Sequence, residues 1–420
     1  MHSTNNQALL ALLLAELRYQ NSNVKIICGH KKSETKMDDM VTSREEMLNS
    51  DNFCASYPEL PVLNLTDPAV ASRYEYKPFP AALVAAIYPG IALLGLTTNL
   101  LFLLTVYRVK SMRTLTNAYL SNLAISDVMF LSTGAAFGFW KYVSTPVTSD
   151  FSILGGVHGC FLTQQANAIP IFASTLMVTA VTIERYLAIC HPLRHLKFRS
   201  KRRTVIVIAS TWFVSMCLAA MLFPSSTNYV TLCVMWPDDE YFVNFPGLIS
   251  YCGGANDNWS TVLAFCGLTI PFIVEIVVCF ALFCLILRKL SVRIGGIGNN
   301  ASNNNNFKNT RDQVAKMLVI TGVTIFILLT PRTVVTIYYY IKLFTGVQGF
   351  SSDTETVLFI STNLLVYVNS VVNPIIYAFA NERYRVAFLK AVRCCPRRSR
   401  SNSSLRLHEY CNSNTKTTNT

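Results

Sequence analysis

Six polar side chains sit inside otherwise apolar runs of this sequence, where they could hold a small cation or a buried hydrogen-bond network. Asp127 lies in the run Ser121-Asn122-Leu123-Ala124-Ile125-Ser126-Asp127. Asn99, Ser174, Asn369, Ser370 and Asn373 fall at similar depth in three other runs. Charged and amide groups are costly in hydrocarbon, so each marks a candidate site. One carboxylate ringed by amides and hydroxyls can enclose a hydrated sodium ion. The same set can form a structural network with Asp127 protonated, and residue types alone leave both readings open. A second constellation is Glu184-Arg185-Tyr186, at the end of a long apolar run. An arginine beside a glutamate can pair in one state and part in another, as switches require. A snorkelling arginine at a membrane interface is the plainer reading. A third is Arg332, directly after Pro331. It can meet a ligand carboxylate or amide carbonyl, or pair within the fold, while Gln164, Asn167 and Asn363 can add amide contacts. Glu275 is another intramembrane acid with no evident partner.

Positioning these groups takes membrane helices. Of 420 residues, 51% are hydrophobic and 14% charged, where soluble domains carry about 25% charged residues. Mean hydropathy is +0.35. Seven stretches are long enough to cross the bilayer as helices: residues 79–107, 116–139, 157–190, 204–223, 260–287, 313–340 and 354–380. The fold class read from this is all-α, a seven-transmembrane helix bundle. Pro89, Pro170, Pro271, Pro331 and Pro374 fall inside spans and read as kinks. The net charge of +13 lies in short loops and the tail, which is the membrane pattern and argues against a nucleic-acid partner. Basic residues crowd the segments after spans one, three and five, which places the N-terminus outside and the C-terminus in the cytoplasm. The 13 cysteines show no zinc spacing.

Residues 1–77 form an outer segment expected to be largely disordered. Its run Leu9–Ala15 has the length of a signal-peptide core without a preceding basic residue, so a cleaved signal and a short amphipathic helix both remain as readings. Asn64 and Asn258 head glycosylation sequons on the outer side, Asn64 the better placed. Cys160 opens span three, and Cys233 lies in the outer loop before span five. A bridge between them would pin that loop across the mouth of the bundle. Cys28, Cys54 and Cys252 offer one further bridge that sequence leaves unassigned. After span seven, Tyr384, Phe388 and Ala391 share one face of a short amphipathic eighth helix on the inner leaflet. Cys394 and Cys395 follow it, placed for palmitoylation. The receptor domain thus covers residues 78–395, and residues 396–420 read as a disordered cytoplasmic tail rich in phosphorylatable hydroxyls. The Asn- and Gly-rich stretch 295–309 reads as a cytoplasmic linker.

In order along the chain, these features resemble the rhodopsin-like class of G-protein-coupled receptors over about residues 79–395. Asn99, Leu123-Ala124 through Asp127, Cys160 lying 25 residues before Arg185, Glu184-Arg185-Tyr186, Trp212, Pro271, Pro331 and Asn373-Pro374-Ile375-Ile376-Tyr377 stand where that class has its motifs. The resemblance implies a plasma-membrane receptor, not an enzyme. Its outer agonist would shift a population of bundles, and a heterotrimeric G protein would dock at Arg185 and the inner loops. Asn373, Pro374 and Tyr377 would take part in the switch. Receptor kinases and arrestin would meet the tail, and membrane lipid the spans. The chain departs from the pattern at Leu329, Ile325, Thr175 and Cys279, where the class has its core aromatic relay and that relay's neighbours. Either a reshuffled, mostly aliphatic core carries the signal, or coupling is atypical.

The resemblance also narrows the ligand. Asn167 stands where amine receptors need an aspartate, and Tyr367 where opsins need a lysine, which disfavours amines and retinal. The texture around Ser111–Asn117 and Thr182–Pro192 is nearest the neuropeptide receptors of the thyrotropin-releasing-hormone, neuromedin and FMRFamide-like groups. A peptide agonist is therefore expected; a lipid or other small molecule is the alternative. A transporter is the rival class, but the spans show no paired halves.

Overall fold

The computed structural model describes residues 50–198, 200–226, 228–253, 258–295 and 305–392. Leu9–Ala15, Cys28, Cys394, Cys395 and the tail lie outside the described residues. Among the described residues, seven helices are long and apolar enough to cross a membrane. They are α1 (Pro78–Arg108), α2 (Leu115–Ser144), α3 (Val157–Cys190), α4 (Lys201–Ala220), α5 (Asn258–Gly295), α6 (Asn305–Thr345) and α7 (Ser352–Ala380). An eighth, α8 (Glu382–Val392), follows. The chain is a multi-pass membrane protein built as an all-α seven-helix bundle, as the hydropathy pattern requires.

Local chemistry sets the helix ends. Thr114, Ser200 and Ser351 cap α2, α4 and α7, each side chain accepting a backbone N–H three residues on, which satisfies one orphan donor of the first turn. Pro89 has no N–H to give, and the five residues before Tyr88 widen into a π turn, with the Tyr88 N–H bonding the Leu83 carbonyl. The sharp entry to α3 uses Gly155 and Gly156 at φ 65° and 127°, a conformation that side chains resist.

The helices are not equally central. In their most apolar windows α2, α3 and α7 are 56%, 61% and 56% buried, against 22% for α1, α4 and α5. The central three carry most of the polar residues named above. Trp212 on α4 donates its indole N–H to Asn122 Oδ1 of α2 at 3.1 Å. At the inner face α8 turns Tyr384, Ala387 and Ala391 into the bundle, with Phe388 packed beside them. Tyr384 donates to Asn117 Oδ1, and Arg108 donates to the Ala391 carbonyl at 2.9 Å.

The outer mouth carries structure that hydropathy does not signal. Strands β1 (Val62–Asn64), β2 (Asn228–Met235) and β3 (Leu248–Gly253) form one sheet in the order β1-β2-β3. β1 runs parallel to β2, with Val62 opposite Cys233; β2 is antiparallel to β3, with Tyr229 opposite Cys252. Leu65, Ala71, Val147, Val234 and Ile249 close a small core under the sheet. So Ser50–Lys77, part of the segment expected to be largely disordered, contains two short helices and a strand.

The expected Cys160–Cys233 bridge is corrected. Cys160 is bonded to Cys252, and Cys233 to Cys54. The hairpin register explains it. Cys252 faces Tyr229, four residues along β2 from Cys233, roughly 13 Å at strand rise. The β3 end therefore reaches α3, and Cys233 is left against the N-terminal segment beside β1. A disulfide needs Cα atoms within about 7 Å, and both observed pairs stand at 5.7 Å.

Candidate functional site

The outer part of the site is a cavity of about 90 Å³ between α3, α5, α6 and α7, walled by Phe172, Thr175, Phe272, Glu275, Leu329 and Arg332 among others. Arg332 is only 7% exposed. Its guanidinium lies 4.1 Å over the Phe359 ring, and Nη1 has no hydrogen bond among the described residues. A ring face offsets part of the desolvation of a cation, but a buried charge without a hydrogen-bonded counterion stays costly. Glu275 lines the same cavity and accepts from the Thr175 hydroxyl at 3.2 Å. No ion pair joins it to Arg332.

The amides expected beside Arg332 divide. Gln164 donates to the Leu222 carbonyl at 2.9 Å. Asn167 donates to the Thr163 carbonyl at 2.7 Å and accepts from Thr133 at 3.4 Å. Both are buried and engaged by the scaffold. Asn363 is also buried, and its Oδ1 has no hydrogen bond among the described residues. The Tyr88 hydroxyl donates to the Ile360 carbonyl of α7 at 3.3 Å. Tyr88 stacks on Tyr367 at 4.7 Å. Tyr88, Phe359 and Tyr367 complete this outer site, yet a lone aromatic in an apolar run gives no signal of that role.

At mid-depth Asp127, Ser174 and Asn373 converge, and Asn99 joins Ser370. Asn373 Nδ2 donates to Asp127 Oδ2 at 2.9 Å and Ser174 Oγ to Asp127 Oδ1 at 3.3 Å. Asn99 donates to the Gly95 and Ser370 carbonyls at 2.9 and 2.8 Å, tying α1 to α7. Asn99 Oδ1 and Asn369 Oδ1 are buried without hydrogen-bond donors among the described residues. Amide, carboxylate and hydroxyl oxygens are the ligand types a hard cation takes.

Beside this layer, the positions without the usual aromatics form an aliphatic and polar seam. Ile325 and Leu329 are buried in the central core. On α3 and α5, Thr175 bonds Glu275, and Thr179 meets Cys279 Sγ at 3.4 Å one turn farther in. Cys279 packs with Ile189, Phe283 and Ile286.

At the inner end Arg185 Nη2 lies 3.8 Å from Glu184 Oε2. Glu184 also accepts from Thr116 at 3.3 Å and faces His195 Nε2 at 3.7 Å. Tyr186 meets His191 at 3.2 Å. Arg185 is thus held within its own helix end, and its Nε has no hydrogen-bond partner among the described residues. Tyr377, one turn past Pro374, is buried against Phe102 and Tyr384 at ring distances of 5.5 and 5.9 Å.

Comparison with known proteins agrees with this layout. The family described as 7 transmembrane receptor (rhodopsin family) matches residues 98–377. The chain is 27% identical over 328 residues to the somatostatin receptor type 5 of Rattus norvegicus, covering 76% of this chain and 79% of that receptor. It is 26% identical over 359 residues to the thyrotropin-releasing hormone receptor of Mus musculus, covering 78% and 82%. The Bos taurus thyrotropin-releasing hormone receptor is 26% identical over 355 residues, covering 75% and 81%. The family match spans the Asp127 layer, Glu184-Arg185-Tyr186 and Asn373 through Tyr377, so the chain belongs to the rhodopsin family of seven-transmembrane receptors.

Proposed function

We propose that this receptor is activated by an extracellular peptide and signals through a heterotrimeric G protein. The observation that carries the reading is Arg332: a buried cation with an unbonded N–H, on a cavity below a folded outer cap. A peptide brings carbonyl and carboxylate acceptors that can complete it. The cap fits the same reading, since its acidic run Asp238-Asp239-Glu240 is exposed and can steer a basic peptide. The relatives named for peptide hormones point the same way. The Glu184–Arg185 pair is the element the G protein would draw apart, and linkage then makes agonist and G protein favour each other. The polar seam at Thr175–Glu275 and Thr179–Cys279, with Ile325 and Leu329, stands in for the aromatic relay.

The Asp127 layer fits a sodium ion. Asp127, Ser174 and Asn369 would hold it, with Asn99, Ser370 and Asn373 around them. The ion would supply positive charge that favours ionised Asp127 and braces α2, α3 and α7. The tail hydroxyls, receptor kinases and arrestin, and acylation at Cys394 and Cys395, belong to the same proposal.

The test is a panel of amidated and free-acid peptides on cells expressing the full chain, read as G-protein activation. A peptide response that drops at least roughly tenfold in potency in Arg332→Gln, at equal surface expression, supports the reading; losing a buried charge contact costs roughly 2–5 kcal/mol. A response only to a lipid or an amine would overturn it.

A further inference from the structure

A cavity of about 360 Å³ lies far from the agonist site, in the inner half of the bundle between α3 and α4, with Leu115 and Tyr119 of α2 at its edge. Leu176, Ala180, Ile183 and Leu187 wall it on α3; Val207 and Val214 wall it on α4. The α3 set recurs at helical spacing and forms one apolar stripe; on α4, Ser210 and Thr211 lie between the two valines, and Thr211 turns its hydroxyl back to the Val207 carbonyl at 2.9 Å. Ile183 and Val214 are 40% and 42% exposed from the bundle, at positions inside the membrane-crossing segments. A mostly apolar furrow there opens toward hydrocarbon and has room for a lipid chain.

Its inner rim has different chemistry. Glu184, His195, Ser200 and Arg203 border it. Ser200 caps the start of α4, accepting the Arg203 N–H at 3.1 Å, and the helix opens with Lys201-Arg202-Arg203, all exposed. Helix N-terminal N–H groups and three basic side chains favour an anion. The carboxylate at the rim does not oppose one, because Glu184 already faces Arg185 and His195 and accepts from Thr116. The rim also sits at the cytoplasmic leaflet, where anionic lipids concentrate.

We propose that the α3–α4 cleft is a binding site for an anionic phospholipid of the inner leaflet, its phosphate at the Lys201–Arg203 start of α4 and one acyl chain along the furrow. The furrow accounts for the chain, and the basic rim selects the headgroup. This site shares Glu184 with the switch, but it does not depend on the nature of the agonist.

The test uses the full-length receptor in phosphatidylcholine nanodiscs with trace phosphatidylserine carrying a photoreactive group on an acyl chain. Crosslinks should concentrate in the peptides spanning 176–187 and 207–214, and unlabelled phosphatidylserine should displace the label at least about tenfold better than phosphatidylcholine. Lys201→Gln/Arg202→Gln/Arg203→Gln should abolish that preference while leaving crosslinks in the furrow, and Ala180→Phe should reduce furrow crosslinking at unchanged headgroup preference. Because the first measurement is made on the unmodified chain, a folding defect in a variant does not decide the outcome. Crosslinks spread evenly around the bundle, equal displacement by phosphatidylcholine, or displacement by a sterol alone would overturn the proposal.

Discussion

Asp127 shows how far one side chain is constrained by its neighbours. It is 1% exposed and draws hydrogen bonds from Ser174 on α3 and Asn373 on α7, so three helices meet at one carboxylate. If sodium occupies the layer as proposed, agonist and ion are coupled through the packing of those helices. Asp127→Asn keeps the size of the side chain and removes its charge. We expect agonist affinity in the unmodified receptor to fall by several-fold to roughly tenfold when sodium replaces a large organic cation, within the range typical of linked sites. In the variant that dependence should vanish. Radioligand competition at fixed ionic strength measures it, and a variant that keeps its sodium dependence rules out Asp127 as the ion's anchor. The sequence makes Asp127 visible because an acid in an apolar run is expensive. It does not reveal Asn369 Oδ1 and Asn99 Oδ1 as the orphan acceptors, since an amide's free atom depends on which way its partners let it turn.

Between elements, the outer cap is the least expected feature. Lys141 at the end of α2 is buried over the Phe151 ring at 3.4 Å, and Asp150 accepts the Ser250 N–H at 3.1 Å, so the loop after α2 grips β3. Lys342 on α6 pairs with buried Glu355 on α7 at 2.8 Å, and Tyr338 donates to the same carboxylate at 2.7 Å. These contacts and the two disulfides turn the mouth into a fixed rim. Non-reduced peptide mapping should recover Cys160–Cys252 and Cys54–Cys233; a Cys160–Cys233 peptide would contradict the register of the hairpin. Replacing Cys54 and Cys233 together by Ser should release β1, with faster amide exchange at Val62–Asn64 and unchanged exchange in α2, α3 and α7. A loss of roughly 2–4 kcal/mol in cap opening is expected. Unchanged exchange in β1 would mean that the sheet core holds it without the bridge.

On the scale of the whole molecule, orientation governs which chemistry reaches which compartment. The basic loops put the cap outside and α8 inside. Asn64 is exposed at the end of β1, and its Oδ1 accepts from both the Thr66 N–H and the Thr66 hydroxyl, so its sequon is folded and accessible. Ser260 of the Asn258 sequon is buried instead. The receptor expressed in animal cells should therefore carry a glycosidase-sensitive mass that Asn64→Gln removes and Asn258→Gln leaves. A receptor whose mobility is unchanged by glycosidase would remove the support that Asn64 gives to this topology.

Hydrophobic runs, basic loops and intramembrane polar residues determine the seven crossings, their direction, and the layer around Asp127 from sequence alone. Each follows from the cost of placing a residue in hydrocarbon, a local property. The choice of disulfide partner was different. Cys160, Cys233 and Cys252 are alike in sequence, and only the β2–β3 register decided between them. The roles of Gln164 and Asn167 were decided in the same way, because whether an amide serves a ligand or a neighbouring carbonyl depends on where the next helix lies. Tyr88, Phe359 and Tyr367 joined the outer site only once α1, α6 and α7 had packed together.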